Sequence, residues 1–527
     1  MNKTTLTGHP LLAAATIEMD HGHFDLAAAQ VIRHLRDKPD EPRGTALLGM
    51  IALKTGALVQ AEQFLRRALA LGMQTIEVQR DLASALYQQE RLGDALNAFT
   101  HLRERSPDPQ IAATRAMILH KLDRNAEALA AHEALLQQTR DVPQFWIAYG
   151  HSLRAAGRTD DAVAAYREAI AIETEYGEAW WGIANIKSKV LSDQDVEIME
   201  AALETAIDSR NIIPLHFALG RASHDRQDYP RAFEHYSHAN ELRASEVRYD
   251  PEELTAEVSE FTRDFDANGR SPARGAGSDS PIPVFLISMP RSGSTLLEQM
   301  LDRHDHIEAV GELPYIRALI RSVLEIHTRR EPIKLPELVR RLSDSEKRAF
   351  GADYMQRASL HRKSDAPYFV DKMPMNWSDV LFIREILPQA RFIEIRRNGM
   401  DCGFSNYIHY FSRAHASSFD LANIGQTYTD YVRLMDHIRA GSPDLMQHVR
   451  YEELVEHPAR ELAKVLDYLG LEWDDSLLRF FESDRVVRTP SAEQVRRPLN
   501  RQGIGAWQPY SEWLDPLRKA LGPLADA

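Results

Sequence analysis

The chain has 527 residues, with 63 Lys and Arg against 77 Asp and Glu, which gives a formal net charge of −14. The length predicts two or three domains, and the acidic balance argues against nucleic acid as the partner, so an anionic ligand would need a local cluster of Arg and Lys. The single cysteine, Cys402, excludes an internal disulfide. Because the sequence shows no signal-like N-terminus and no apolar run of ~18 residues, we expect a cytoplasmic protein without a membrane span.

The first half of the chain repeats itself. A turn between two amphipathic helical patterns closes on an alanine, and the sixth such alanine lies two periods after the fifth: Ala27, Ala61, Ala95, Ala128, Ala162 and Ala232. A divergent copy fills the gap at roughly residues 177–210. A small residue is needed where two helices approach closely. The pattern resembles the tetratricopeptide repeat, whose period is ~34 residues.

Six or seven such units fit before residue 245, so residues 1–245 predict an all-α solenoid with a concave groove. The groove would hold a peptide, protein or glycan partner, or else the array would be a rigid spacer or a dimerisation surface; a homodimer is possible on this sequence. Residues 246–280 predict a helical connector and then a linker rich in Gly, Ser and Pro. A second domain is expected over residues 281–527.

An anion site is predicted at Ser288–Thr295, between the apolar run Pro283–Ile287 and the helical pattern Leu296–Leu301. Strand, small-residue turn and helix aim backbone N–H groups and a helix N-terminus at one point. Two hydroxyls and the guanidinium of Arg291 suggest a phosphate ligand. The Lys of a Walker A loop is missing, which opposes a kinase that uses ATP and Mg²⁺.

Short apolar strands alternate with helical patterns downstream. Tyr368–Val370 and Ala390–Arg397 are predicted strands, and Glu452–Gly470 is a predicted helix. This alternation predicts a parallel α/β sheet, which binds ligands at the carboxyl ends of its strands. Three strand ends would carry a positive group: Arg291, Lys372 and Arg397. Such a cluster is costly without an anion between its members.

The spacing from Arg397 to Ser405 fits a phosphate site. A strand-end Arg can fork onto a phosphate, and Ser405, two turns into the following helix, adds a hydroxyl on the same side. A solvated charge pair is the alternative for Arg396 and Arg397, and we expect Arg396 to be structural.

Taken together, the ordered motifs resemble the sulfotransferases that use 3′-phosphoadenosine 5′-phosphosulfate (PAPS), particularly bacterial ones with N-terminal tetratricopeptide repeats. The motifs are Pro290–Leu297, Arg397–Asp401 with Ser405, Tyr451–Leu454, Thr489–Arg496 and Gly505–Trp507. The family usually has Pro where Gly399 stands, which would loosen that turn. The resemblance implies a P-loop-like fold, PAPS as co-substrate, adenosine 3′,5′-bisphosphate (PAP) as product, and no metal.

The resemblance also implies roles for single residues. The 5′-phosphosulfate would be held by the loop residues Arg291, Ser292, Gly293, Ser294 and Thr295. Arg397 and Ser405 would hold the 3′-phosphate, and Tyr451 would lie near the nucleotide. Arg291 would also serve the leaving phosphate and the sulfuryl oxygens.

Glu312 lies in a segment that resembles the base segment of tyrosylprotein sulfotransferases, so we expect it to be the general base. His304, His306 and His409 are rival bases, because cytosolic sulfotransferases of small molecules use a His. Lys372 would stabilise charge at the bridging oxygen, although pairing with Asp371 is an alternative. Ser491 would contact the transferring group or else act in a turn.

The sequence therefore predicts sulfuryl transfer from PAPS to a hydroxyl, with a tyrosine of a peptide or protein as the favoured acceptor. A carbohydrate or other small-molecule hydroxyl is an alternative acceptor. The alternative of another class is a repeat scaffold whose second domain binds nucleotide without activity.

Overall fold

The computed structural model describes residues 9–186, 190–264, 281–328, 333–412, 414–483 and 495–526. The predicted linker at residues 266–280 and the candidate Ser491 lie outside these residues. The chain packs into two compact units: the first comprises Met1–Thr139, Pro314–Ile333 and Asp353–His361, and the second Arg140–Leu313, Lys334–Ala352 and Arg362–Ala527. No helix in the described ranges is long and apolar enough to cross a membrane.

Residues 10–246, apart from 187–189, form helices that follow one another in pairs across short turns. The helices are α1 (Pro10–Asp20), α2 (Phe24–Asp37), α3 (Pro42–Thr55), α4 (Leu58–Ala70), α5 (Ile76–Gln88), α6 (Leu92–Arg105), α7 (Pro109–Lys121), α8 (Asn125–Gln138), α9 (Pro143–Ala155), α10 (Thr159–Ile172), α11 (Gly177–Ala184), α12 (Asp193–Thr205), α13 (Ser209–Asp225) and α14 (Tyr229–Glu246), followed by the single α15 (Pro251–Asp264). The six repeat alanines are all 0% exposed. The predicted helical solenoid is confirmed.

Strands and helices alternate from residue 282 onwards. The elements are β1 (Ile282–Ile287), α16 (Ser294–Leu301), β2 (Ile307–Gly311), α17 (Tyr315–His327), α18 (Leu335–Arg341), α19 (Asp344–Ser359), β3 (Tyr368–Asp371), α20 (Val380–Ile386), β4 (Arg391–Arg396), α21 (Gly399–Tyr407), α22 (Leu421–Gly441), β5 (Met446–Arg450), α23 (Tyr451–Glu456), α24 (Pro458–Leu469) and α25 (Asp515–Leu521). Short 3-10 helices cover Pro374–Asp379, Ala416–Phe419, Asp475–Glu482, Gln508–Trp513 and Gly522–Ala525.

The five strands form one parallel sheet in the order β2-β3-β1-β4-β5. Every residue of the central strand β1 is buried, as expected for a parallel strand covered on both faces. The predicted parallel α/β sheet is confirmed, and all its carboxyl ends lie along one edge.

Two details differ from the sequence-based expectations. Strand β5 was not predicted, because its five residues include Gln447, His448 and Arg450 and give little apolar signal. The helix expected over Glu452–Gly470 is two helices, α23 and α24, which meet at His457. Pro458 opens the second helix, where its missing N–H costs nothing.

One face of the sheet packs on α16 and α24. Its core contains Val284 of β1, Leu297 of α16 and Leu466 of α24, each at most 1% exposed. Burying such a side chain contributes about 1.5–3 kcal/mol. This packing fixes α16 against the end of β1, and so fixes the loop between them.

In the first unit, α17 and the end of α19 pack on the repeat helices. The carboxylate of Glu325 accepts hydrogen bonds from the backbone N–H groups of Val59 and Gln60, at 3.0 and 2.8 Å, at the start of α4. Arg357 Nη1 donates to the carbonyl oxygen of Gln89 at 2.9 Å. A carboxylate at a helix N-terminus is stabilising because it meets unpaired N–H groups.

Candidate functional site

A cavity of about 600 Å³ lies at the carboxyl edge of the sheet, and all its described lining residues belong to the second unit. Each strand delivers part of the lining just after it ends: the loop with Arg291 after β1, Glu312 after β2, Lys372 after β3, Arg397 after β4, and Tyr451 after β5. This is the place where open parallel sheets bind ligands. Among the predicted loop residues, Arg291, Gly293, Ser294 and Thr295 also line the cavity.

The loop after β1 needs glycine at position 293. Gly293 has a φ of 92°, in the left-handed region, and α16 begins directly after it. A Cβ atom at this position would lie 2.3 Å from Cδ2 of Tyr451. The glycine therefore provides both the turn and the room for the tyrosine ring, so the β1 loop and the start of α23 touch.

Ser292 differs from its loop neighbours. Its Oγ lies 3.4 Å from Sγ of Cys402, and that sulfur lies 3.4 Å from the carbonyl oxygen of Pro290. Burial raises the pKa of the Cys402 thiol to about 11, so it stays protonated at neutral pH. Ser292 is 1% exposed and not among the described lining residues, which places it behind the cavity wall.

Arg397 joins three strand ends. Its Nη1 donates to the carbonyl oxygen of Arg291 at 2.8 Å, and its Nη2 donates to the carbonyl oxygen of Gly503. The guanidinium carbon lies 5.2 Å from the ring centre of Tyr451. Its Nε is buried without a hydrogen-bond partner among the described residues. A buried donor of this kind is costly to leave unpaired, so it points to a ligand.

Arg291 and Ser405 meet directly, with Nε of Arg291 donating to Oγ of Ser405 at 3.2 Å. We predicted these two residues for opposite ends of the nucleotide, and the structure places them together. Burial, and then the charge of Arg397, lower the pKa of Arg291 to about 10. Two charged guanidinium groups held this closely favour an anion beside them.

Lys372 and Glu312 form an ion pair across the ends of β3 and β2. Lys372 is 1% exposed and its Nζ donates to Oε1 of Glu312, whereas the Glu312 side chain is 41% exposed. The backbone N–H of Lys372 donates to the carbonyl oxygen of Gly311 at 2.9 Å. Asp371, the alternative partner, instead accepts a hydrogen bond from the N–H of Leu313 at 3.3 Å.

The three histidines that are alternatives to Glu312 as the general base lie in different places. Nδ1 of His304 accepts from the N–H of His306 at 3.1 Å, and its Nε2 lies 3.1 Å from the carbonyl oxygen of Glu472. Neither His304 nor His306 is among the described lining residues, whereas His409 is. The His409 ring lies 5.6 Å from that of Trp181. His409 is therefore the rival base that the structure brings to the cavity.

Arg396 is held by carboxylates, as a structural residue should be. Its Nε donates to Glu394 at 2.8 Å and its Nη2 to Asp436 at 2.9 Å. Burial alone would raise the pKa of Glu394, but a hydrogen bond with His448 and the charge of Arg396 lower it to about 2. Neither Arg396 nor Glu394 is among the described lining residues.

The turn at the start of α21 is capped although Gly399 replaces the usual Pro. Oδ1 of Asn398 accepts from the N–H groups of Met400 and Asp401, at 3.1 and 3.2 Å. Oδ2 of Asp401 in turn accepts from the N–H of Gly505 at 2.8 Å. The predicted C-terminal motif Gly505–Trp507 thus reaches this turn.

Several residues that line the cavity were not predicted from the sequence. Arg221 of α13 and Arg497 line the cavity beside Arg291, Lys372 and Arg397, and Glu312 is the one acidic residue among the described lining residues. Arg497 directly follows the motif Thr489–Arg496, which could have pointed to it. Arg221 carries no local signal, because it belongs to a repeat helix.

Within the described part of the chain, one group of three side chains is spaced for a metal ion: Glu18, His21 and His23. This group lies at the C-terminal end of α1 and in the turn after it, and its members are not among the described residues that line the cavity.

Family models match two parts of the chain. Residues 283–475 match the family model described as "Sulfotransferase family", and residues 12–74, 80–143 and 143–186 match tetratricopeptide repeat models. An uncharacterized protein of Aquifex aeolicus is 29% identical over 63% of this chain and 44% of its own length. Protein-tyrosine sulfotransferase 1 of Danio rerio is 26% identical over 44% of this chain and 66% of its own length.

The chain thus spans less than two thirds of the length of each of these two relatives. A solved sulfotransferase domain from the curacin biosynthetic pathway matches with 17% identity and a TM-score of 0.33, over 47% of this chain and 98% of that one.

Proposed function

Since the chain joins tetratricopeptide repeats to a sulfotransferase-family domain, we propose that it transfers a sulfuryl group from PAPS to the hydroxyl of a tyrosine in a peptide or protein. One observation carries the proposal: in a chain of net charge −14, five cationic side chains and one carboxylate are found among the described residues that line a cavity at the strand ends. Cations in excess suit a polyanionic donor, and a single carboxylate suits a base.

The donor would lie along the edge formed by β1, β4 and β5. The unpaired Nε of Arg397 and the hydroxyl of Ser405 are proposed to bind the 3′-phosphate. The loop from Gly293 to Thr295, at the N-terminus of α16, is proposed to bind the 5′-phosphosulfate. A cavity of about 600 Å³ is in the range for a ligand of this size.

The acceptor hydroxyl would approach the exposed carboxylate of Glu312. Glu312 takes the hydroxyl proton as the acceptor oxygen forms its bond to sulfur and the bond from sulfur to the 5′-phosphate oxygen breaks. The electron pair of that bond leaves with the phosphate, where Lys372 and Arg291 neutralise the charge. Lys372 is suited to this task because it is buried, already touches Glu312, and lies at the neighbouring strand end. No step uses a metal.

A tyrosine acceptor is supported by the printed function of several relatives, which are protein-tyrosine sulfotransferases that align with 42–44% of this chain. The repeats support a peptide or protein acceptor, because such arrays commonly present a concave binding surface.

The proposal is tested with labelled PAPS and a pair of peptides that differ only in Tyr against Phe. The wild-type chain should label the Tyr peptide alone. Glu312→Gln keeps the shape of the base but cannot accept the proton, so transfer should fall by about 10²–10⁴-fold. Its affinity for PAP, measured by calorimetry, should stay within about threefold.

His409→Asn provides the control, because His409 is the rival base at the cavity. Loss of transfer in His409→Asn with full activity in Glu312→Gln would move the base to the histidine. The same assay is run with cell extract as the source of acceptors. PAP binding without transfer to any component of the extract would favour the inactive scaffold. Labelling of a glycan alone would refute the tyrosine acceptor.

A further inference from the structure

Two repeat helices, α11 and α13, each present side chains to the cavity. Trp181 and Asn185 lie four residues apart on α11 and at its C-cap, and Arg221 and His224 lie three apart on α13. All four line the cavity. Since residues three and four apart share a helix face, each helix presents a continuous surface there. The cavity is therefore bounded by repeat helices as well as by the sheet.

The repeat register shows that Trp181 is unusual. Trp146 and Trp180 lie 34 residues apart, and the indole Nε1 of each donates to the carbonyl oxygen six residues earlier, at 2.9 Å. The next position along is Ile147 in the earlier unit and Trp181 in the later one. The large aromatic ring therefore stands at a repeat position that holds an aliphatic side chain one unit earlier, and it does so where the helix borders the cavity.

Packing holds the Trp181 ring in place. Its ring centre lies 5.6 Å from that of His409 and 5.7 Å from that of Phe217, both in edge-to-face arrangements. Trp181 nevertheless lines the cavity, together with Phe404 and Phe411. A ring fixed by its neighbours loses little further entropy when a ligand packs on it.

Two polar side chains, Asn185 and Arg221, also line the cavity. Asn185 lines the cavity although it is only 7% exposed, so its side-chain amide lies among buried groups. Arg221 pairs through Nη2 with Asp225 at 2.8 Å, and its Nε is buried without a hydrogen-bond partner in the described chain. Such groups are costly when buried, unless a bound molecule pairs with them.

We propose that Trp181 and Asn185 form the acceptor wall: Trp181 packs on the acceptor's aromatic ring and Asn185 bonds to its peptide amide. The proposal rests on the proposed sulfuryl transfer and adds the residues that select the acceptor. The repeats are then part of the catalytic site. A phenolic ring buries only carbon against Trp181, Phe404 and Phe411, whereas a sugar has hydroxyls around its ring that these side chains would leave unpaired.

The test measures transfer from PAPS to three defined acceptors: N-acetyl-tyrosinamide, phenol and methyl glucoside. Trp181→Ala should raise KM for N-acetyl-tyrosinamide and for phenol about tenfold, with kcat within about threefold, and Trp181→Phe should lie between. Asn185→Ala should raise KM for N-acetyl-tyrosinamide but not for phenol, which has no amide. PAP affinity should be unchanged in all three variants.

Trp146→Ala is the matched control, since it removes a tryptophan one repeat earlier that does not line the cavity. If Trp181→Ala behaves like Trp146→Ala, or if its PAP affinity falls as its KM rises, the inference is wrong. Should Trp181→Ala fail to fold, Trp181→Phe and Asn185→Ala decide by the same criteria. A wild-type chain that sulfates only methyl glucoside would overturn the phenolic acceptor, and one that sulfates nothing would refute the proposed function itself.

Discussion

Gly293→Ala tests whether the β1 loop and Tyr451 depend on each other. Alanine in the left-handed region costs about 1–2 kcal/mol. The new Cβ would also lie 2.3 Å from Cδ2 of Tyr451, and relieving such overpacking costs about 1–3 kcal/mol. The free energy of unfolding should fall by about 2–5 kcal/mol in total. Because Tyr451 lies under Arg397, the displaced ring should also lower PAP affinity, by roughly tenfold or more.

Gly470→Ala is the control that introduces backbone strain without a steric clash. Gly470 has a φ of 74° at the end of α24, and a Cβ there would meet nothing within 4 Å. Chemical denaturation gives the stability of both variants, and calorimetry with PAP gives their affinities. Gly470→Ala should lose about 1–2 kcal/mol of stability and no affinity. If Gly293→Ala matched it in both measurements, the contact with Tyr451 would have no energetic consequence and the reasoning would fail.

Two further predictions concern charge. Arg397→Ala should weaken PAP binding by about 2–4 kcal/mol, because it leaves a buried phosphate unpaired. Arg396→Ala should leave the calorimetric PAP affinity intact and lower stability, because Arg396 donates to Glu394 and Asp436 and does not line the cavity. Equal PAP affinities of the two variants would remove the case for Arg397. Burial lowers the pKa of His132 from 6.5 to about 4. Between pH 6.5 and pH 4, His132 is therefore protonated in the unfolded chain and neutral in the folded chain. Stability should therefore fall as pH drops from 6.5 to 4, by roughly 3 kcal/mol, and urea titrations should show a smaller fall in His132→Leu.

The repeats and the sheet edge could be predicted because each rests on local pattern. Ala27 and its five equivalents recur at repeat spacing, and a helix pair needs a small residue there whatever surrounds it. Arg291, Lys372 and Arg397 each follow an apolar run, and parallel strands bring such positions to one edge. Strand β5 was not predicted, because a strand at the edge of a sheet needs few apolar residues.

Contacts between side chains from distant segments were not predictable in this way. Lys372 was weighed against its sequence neighbour Asp371, but the register of β2 with β3 places Glu312 within reach instead. Ser292 shares a loop with Gly293, yet the backbone turns its hydroxyl towards Cys402. Trp181 belongs to the repeats, and nothing in a repeat pattern says which helix will border a cavity formed more than a hundred residues later.

The bonds of Arg397 bear on how a phosphate would enter. Its two Nη nitrogens already donate to the backbone carbonyls of Arg291 and Gly503, and its Nε has no hydrogen-bond partner among the described residues. Each Nη nitrogen carries a second N–H, so a phosphate that binds at Nε would not have to replace either carbonyl. The new bond would join two ionised groups and would be charge-assisted. The bonds of Arg397 to the carbonyls of Arg291 and Gly503 would then hold its guanidinium in position for the phosphate.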